Sequence, residues 1–151
     1  LVRTEGNDVQ PLWSTDPSFL FFVSGHAGNQ DVFRLMLPTG DIVNLTDHPD
    51  QDGQPTLAPD GAHIAFLSTR NGWKAIYEFD TNGEDLRALT GRPISADTPV
   101  WSPDGRRIAF MQQAAPGGSY DLFVMDADGT HIRQLTTSAN VGRAGDPVWQ
   151  P

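Results

Sequence analysis

The sequence contains no cysteine among its 151 residues. Disulfide bridges, thiolate metal sites and a cysteine nucleophile are therefore excluded. The chain also has no apolar run long enough to cross a bilayer, and no stretch with the pattern of a signal peptide. We therefore expect no insertion into a membrane.

Positive charge is scarce. Lysine and arginine together number 10, against 19 acidic residues, which gives a formal net charge of −9. Nucleic acids and acidic membrane surfaces are bound by patches of basic side chains. The composition therefore predicts neither as a partner, and leaves two interpretations of the acidic surface open: a solubilising surface or an acidic binding face.

Catalytic motifs are missing as well. The sequence has no Gly-x-Ser-x-Gly elbow and no His-Glu-x-x-His helix. Its four histidines, at positions 26, 48, 63 and 131, occupy different parts of the chain and do not repeat in a regular way. We expect no catalytic residue, no cofactor and no metal ligand set, and a protein that is not an enzyme. Two carboxylates at glycosidase separation stay possible, because spatial distance cannot be read from sequence.

A repeated segment dominates what is present. Residues 99–110 read PVWSPDGRRIAF, residues 55–66 give a second copy ending in IAF, residues 11–22 a degenerate copy, and residues 147–151 begin another. The residues in the tryptophan position of the motif, 13, 57, 101 and 149, are 44, 44 and 48 residues apart. A repeat of this length made of short strands is typical of a β-propeller blade.

Turn residues support this interpretation. Fifteen glycines and twelve prolines punctuate short apolar segments, and no long helical periodicity is present. Pro-Asp-Gly at 59–61 and 103–105 favours tight hairpins. The sequence predicts an all-β fold of antiparallel four-stranded blades with essentially no α-helix. The single domain, residues 1–151, divides into blade one at about 8–46, blade two at about 53–90, blade three at about 97–136, and the first strand of a fourth at 146–151.

Each blade should begin with an inner strand, at residues 8–14, 53–58 and 97–102. We expect the tryptophan-slot residues Trp13 and Trp101, with Leu57 in the equivalent place, to be largely buried between blades. The aromatic residues that should pack beside them are Phe22, Phe66 and Phe110.

These elements resemble the WD-like repeat of TolB-type propellers. The resemblance rests on Pro-Val-Trp-Ser-Pro-Asp-Gly, Ile-Ala-Phe, the Asp-Leu-Phe-Val-Met-Asp-Ala-Asp-Gly segment and Gln-Leu-Thr, and it extends over nearly the whole chain. It implies a non-catalytic scaffold that binds a protein or peptide through its rim or central channel, in the periplasm or outside the cell. The alternative is the propeller of a larger enzyme, such as a prolyl-oligopeptidase-like peptidase, which gates a catalytic domain not present in this sequence.

Three blades make half of a six-bladed ring, a common size for this family. Two apolar blade faces are left open, so we expect a homodimer that closes the ring through an interface of about 2,000 Å² or more. The chain begins at Leu1 and ends one strand into a repeat, and we interpret it as a processed or truncated piece. After assembly residues 8–14 and 146–151 compete for one place; we expect 8–14 to hold it and the C-terminal strand to fray or pack elsewhere.

Two features predict a binding surface. One is a polar loop, Asp47-His48-Pro49-Asp50-Gln51-Asp52, which is either a solvated loop or a site for a cation or a basic group. The other is an aligned position on the inner strands, Gln10, Gln54 and Thr98, with Asp146 in the fourth copy. Because side chains two residues apart share a face, we expect this position to point into the central channel. The predicted negative channel mouth consists of Asp47, His48, Asp50, Asp52, Asp97 and Asp146, with Gln54 and Thr98 behind it.

Overall fold

The computed structural model of the chain describes residues 4, 6–26, 28–91, 95–115, 117–137 and 147–149. Within these ranges it has twelve β-strands and no helix. The strands form three four-stranded antiparallel sheets, and the strand order in each sheet follows the sequence. The all-β prediction is therefore confirmed. No segment of the described chain is a helix that could cross a membrane.

Each sheet is one blade, and the strands run from the inner to the outer side. Blade one consists of β1 (Asp8–Trp13), β2 (Phe19–Ser24), β3 (Asp31–Met36) and β4 (Ile42–Asn44). Blade two consists of β5 (Asp52–Leu57), β6 (His63–Ser68), β7 (Ala75–Asp80) and β8 (Arg87–Ala88). Blade three consists of β9 (Ala96–Trp101), β10 (Arg107–Gln113), β11 (Tyr120–Asp126) and β12 (Arg133–Gln134).

In blades two and three the hairpin between the first two strands follows from the Pro-Asp-Gly sequence. Gly61 and Gly105 have φ values of 74° and 68°. Glycine adopts this backbone conformation readily, whereas residues with a side chain rarely do. The N–H of Gly105 donates to the carbonyl of Ser102 at 2.9 Å, which closes the turn. The carboxylate of Asp104 accepts a hydrogen bond from the N–H of Arg106 at 3.0 Å. The turn is thus stabilised by contacts within the hairpin itself.

Blades stack through two apolar clusters. The cluster between blades one and two contains Phe21, Val23 and Val32 from blade one, with Ile64, Phe66 and Phe79 from blade two. The cluster between blades two and three contains Ala65, Leu67 and Ile76 from one side, with Ile108, Phe110 and Met125 from the other. Successive residues of one strand therefore serve opposite faces, as β geometry requires.

The aromatic position of the repeat is buried in every blade, as predicted: Phe22, Phe66 and Phe110 are 7%, 0% and 0% exposed. The tryptophan slot behaves differently along the chain. Trp101 is 8% exposed and packs in the cluster that includes Ala58 of blade two, which confirms that part of the prediction. Leu57 is only half-buried.

Trp13 corrects the prediction, because 64% of its surface is exposed. The slot residue is buried by the blade that precedes it, as Trp101 is buried against blade two. The described chain places no blade on that side of Trp13, so the same residue in the same local structure stays open to solvent. Burial at this position is a property of the stack and not of the single repeat.

Candidate functional site at the inner strands and the loop rim

Each inner strand carries a bulge at the same place. The register of pairing with the second strand shifts there in all three blades. The bulge residues Gln10, Gln54 and Thr98 have positive φ values of 54°, 51° and 45°. Proline follows each of them, and a bulge tolerates it because no ladder hydrogen bond is needed there. Such a conformation costs free energy in a β-branched residue like Thr98, and the surrounding structure must hold it.

A hydrogen-bond ladder holds these bulges together. The Gln10 side-chain carbonyl accepts a hydrogen bond from the backbone N–H of Gln54 at 2.8 Å. The Gln54 side chain in turn accepts one from the N–H of Thr98 at 2.9 Å. A strand edge that would otherwise be unpaired is thereby linked to the next blade. Among the described residues, the buried hydroxyl of Thr98 has no hydrogen-bond partner.

The predicted orientation of Gln10, Gln54 and Thr98 toward the central channel stays a prediction. The bulge interrupts the period of two between Gln10 and Leu12, so the alternation does not determine where Gln10 points. The aligned residues nevertheless share one surface. An open cavity of about 450 Å³ is lined by three residues from each inner strand: Gln10, Pro11, Leu12, Gln54, Pro55, Thr56, Thr98, Pro99 and Val100.

Loops that connect successive strands lie side by side along one edge of the described blades. The N–H of Asp52 donates to the carbonyl of Gln30 at 2.8 Å, and the N–H of Thr69 donates to the carbonyl of Gln51 at 3.0 Å. Further along, Ala96 donates to Lys74 in the same way at 3.0 Å. Each loop is therefore connected to a loop of the next strand pair, and together they form a continuous rim beside the inner strands.

The polar loop of blade one is held by buried and half-buried side chains. The amide of Asn29 donates to the carbonyls of His48 and Asp50, both at 2.7 Å. The N–H of Asp50 lies 3.1 Å from Nδ1 of His48, and the Asp50 carboxylate lies 3.5 Å from the same nitrogen. Asp47 and Asp50 are exposed, and their carboxylates face solvent at the rim.

Asp52 is placed differently from its neighbours in the loop. Its side chain is fully buried and accepts a hydrogen bond from a guanidinium nitrogen of Arg70 at 2.9 Å. Arg70 lies over the rings of Phe66 and Tyr77, at 5.6 and 5.0 Å from their centroids. Burial raises the pKa of the Asp52 carboxyl, while hydrogen bonding from Ser68 and the charge of Arg70 act in the opposite direction. Arg70 therefore braces this loop.

The other predicted acidic residues are partly neutralised or lie outside the described residues. Asp97 is half-buried, and its carboxylate is 3.2 Å from the ammonium of Lys74. Asp146 lies outside the described residues. No group of three or more histidine, cysteine or acidic side chains in the described chain could hold a metal ion.

Sequence reasoning missed one residue that organises the rim, Asp31. It is 1% exposed, and its carboxylate accepts hydrogen bonds from the Asn44 amide at 2.9 Å and the Thr46 hydroxyl at 3.1 Å. The N–H of His48 approaches it at 3.5 Å. An aspartate that begins a strand, paired with Asn-x-Thr at the end of the following strand, is the sequence signal that could have indicated it.

Four-stranded antiparallel blades stacked in chain order around converging inner strands define the class: this is a β-propeller structure. The sequence profile of the family described as the TolB beta propeller domain matches residues 1–151. The chain therefore belongs to the TolB beta-propeller domain family. No curated protein sequence matches it.

Solved structures agree with the fold. A protein assigned as TolB from Agrobacterium tumefaciens superposes with a TM-score of 0.77 at 22% identity, covering 85% of this chain and 48% of that one. TolB from Acinetobacter baumannii gives 0.72 at 24% identity, covering 87% and 33%. A puromycin-hydrolyzing peptidase from Mycobacterium tuberculosis gives 0.73 at 16% identity, covering 87% and 21%. The chain thus spans about half of the first relative's length and a smaller share of the other two.

Proposed function

We propose that the protein is a non-catalytic propeller scaffold that binds a protein or peptide segment where its inner strands converge. The observation that carries this proposal is the open cavity of about 450 Å³, to which each inner strand contributes three aligned residues. Its walls combine prolines and aliphatic side chains with the Gln10, Gln54 and Thr98 ladder. Pockets of this size, mostly apolar with a few fixed polar groups, are typical of binding sites.

The rim adds a charge preference to the proposed site. Asp47 and Asp50 present exposed carboxylates beside the inner strands, that of Asp50 at 3.5 Å from Nδ1 of His48, and the whole chain carries a formal net charge of −9. Such a rim attracts basic groups and repels acidic ones. We therefore propose an extended peptide with lysine or arginine side chains as the ligand, with the basic groups at the rim and the backbone in the cavity.

Fluorescently labelled twelve-residue peptides that differ only in carrying lysine or glutamate provide the test. We expect binding of the lysine peptide, measured by fluorescence anisotropy, and weaker binding of the glutamate peptide. Thr56→Trp fills the cavity and should weaken binding at least about tenfold, the equivalent of 1.4 kcal/mol. Thr39→Trp, in an exposed turn of blade one, is the matched control. Binding that ignores Thr56→Trp, or that favours glutamate, would contradict the proposal.

Assembly and location belong to the same proposal. We propose a homodimer in which two arcs of three blades close a six-bladed ring, located in the periplasm or outside the cell like the proteins it resembles. Light scattering should then report about twice the 16.5 kDa chain mass at high concentration.

A second function, the propeller of a larger enzyme, is supported by one observation: the fold similarity to the mycobacterial peptidase. In that case the blades would gate access to a separate catalytic domain. The two functions are distinguished by the neighbouring coding sequence, since a Gly-x-Ser-x-Gly segment after residue 151 would favour the enzyme.

A further inference from the structure

The three aligned bulges hold a strained backbone at one surface. Gln10, Gln54 and Thr98 have positive φ values of 54°, 51° and 45°, a region that residues with a side chain rarely adopt. All three residues line the open cavity of about 450 Å³ at the inner strands. Backbone strain of this kind clusters at functional sites and ligand clamps. The bulge residues are therefore the candidates for direct contact with a ligand in the cavity.

The hydrogen-bond ladder leaves donors available on two of these residues. Oε1 of Gln10 accepts from the N–H of Gln54 at 2.8 Å, and Oε1 of Gln54 accepts from the N–H of Thr98 at 2.9 Å. Because a backbone N–H only donates, these contacts determine which end of each side-chain amide is the oxygen. The other end, Nε2, carries two N–H donors, and it has no hydrogen-bond partner within the described ranges. Each glutamine therefore offers donors to a ligand.

The third bulge offers no such donor. Thr98 has no side-chain amide, and its hydroxyl is buried, with no partner among the residues that the structure describes. The residue after each bulge is a proline and carries no N–H: Pro11, Pro55 and Pro99. At the level of the bulges the donors are therefore the Nε2 groups of Gln10 and Gln54. A ligand that satisfies them must carry hydrogen-bond acceptors.

The charge of the rim determines which kind of acceptor fits. Asp47 and Asp50 expose carboxylates beside the inner strands, and the chain has a formal net charge of −9, so carboxylate and phosphate ligands are repelled. Neutral acceptors in a regular row are the main-chain carbonyls of an extended peptide, because alternate residues of a strand face the same side. Hydrogen bonds to a peptide main chain contribute affinity, while separate pockets select side chains.

We propose that Gln10 and Gln54 bind main-chain carbonyls of an extended peptide through their Nε2 groups. Each glutamine then has two roles, since its Oε1 holds the neighbouring blade while its Nε2 contacts the ligand. The ladder fixes the side-chain amide before the ligand arrives, so little side-chain entropy is lost on binding. The cavity thus selects an extended backbone, and the rim selects basic side chains. This inference rests on the peptide binding proposed above and names the groups that perform it.

Gln54→Glu separates the two roles, because it keeps an acceptor for the Thr98 N–H and loses both N–H donors. We expect nearly unchanged unfolding in urea, and a dissociation constant for the lysine peptide about tenfold higher by fluorescence anisotropy at neutral pH. Gln51→Glu is the matched control for charge. It adds the same negative charge at the exposed rim and keeps the acceptor of the Gln30 N–H, which lies 3.3 Å from Oε1 of Gln51. This control should bind the lysine peptide at least as tightly as the wild type.

Ester analogues of the lysine peptide provide a second measurement. In each analogue one central peptide bond is replaced by an ester, whose carbonyl is a weaker acceptor. Analogues that lose affinity for the wild type should lose less for the Gln10→Glu, Gln54→Glu variant. Equal losses with both proteins, or a Gln54→Glu variant that binds like Gln51→Glu, overturn the carbonyl contacts. If Thr56→Trp still weakens binding in those cases, peptide binding in the cavity stands, whereas a wild type that binds no lysine peptide overturns both proposals.

Discussion

Arg70 and Asp52 show how much the value of a charged pair depends on its surroundings. The Asp52 side chain is fully buried and that of Arg70 is 10% exposed, with two aromatic rings beside the guanidinium. A more exposed rim pair, Lys74 with Asp97, has side chains that are 46% and 22% exposed. Removing one partner of a buried pair leaves an uncompensated charge, whereas exposed pairs contribute little.

Arg70→Met should therefore lower the free energy of unfolding by about 3 kcal/mol, because it leaves the Asp52 carboxylate buried without its cation. The matched control, Lys74→Met, should cost less than about 1 kcal/mol, because water screens that pair. Urea denaturation of both variants measures the difference. Equal losses would mean that Arg70 contributes only as a surface residue.

The polar loop at residues 47–52 also shows a limit of sequence-based prediction. The sequence could predict an acidic loop, but not which of its carboxylates are exposed and which is buried in an ion pair. Asp47, Asp50 and Asp52 are alike in the sequence. The hairpin register pairs Asp52 with Ser68 and so brings it to Arg70, 18 positions along the chain. That register is set by the packing of β5 on β6, which is a tertiary property. Asp31 was missed for the same reason, since its partners at 44–48 come from the next strand and loop.

At the scale of the element, the repeat was readable because each strand is bounded by its own turn chemistry. The inner strand of blade two, for example, was predicted at 53–58 and lies at Asp52–Leu57. The bulges were not foreseen. A glutamine before a proline is compatible with an ordinary extended strand, and the positive φ of Gln54 is held by contacts to neighbouring blades. Those contacts join residues 44 positions apart.

The ladder gives a prediction at the same scale. Gln54→Ala removes one of the two acceptors of the Thr98 N–H, which keeps the Asp97 carboxylate at 3.1 Å. The variant should therefore lower the free energy of unfolding by about 1 kcal/mol, the contribution of one hydrogen bond. Gln54→Glu keeps an acceptor oxygen at the same length and should cost less. Urea denaturation at neutral pH compares the two. If both variants match the wild type, water replaces the ladder and the inner strands are joined by packing alone.

For the whole molecule, the arrangement of blades explains why identical repeat positions differ in burial. Blade two contributes to both apolar clusters, while blades one and three each have one blade neighbour. A stack in which each repeat contacts only its neighbours has a stability that is approximately a sum of repeat and interface contributions. The same substitution should therefore lower the free energy of unfolding by different amounts in different blades, depending on how many neighbours the blade has.

The aligned phenylalanines test this additivity, and Phe22 and Phe110 are the matched pair, because their ring contacts within the blade are alike. Phe22 stacks on Phe33 with centroids 5.6 Å apart, and Phe110 stacks on Phe123 at 5.9 Å. Phe66 and Phe110 also pack against a preceding blade, so Phe66→Ala and Phe110→Ala should each cost about 3–5 kcal/mol. Phe22→Ala should cost clearly less in a chain that light scattering shows to be monomeric, since no preceding blade covers it. Where the ring has closed, the cost at Phe22 should rise to that of the other two. If the three variants lose the same free energy of unfolding in the monomer, contacts within each blade determine stability and contacts between blades do not.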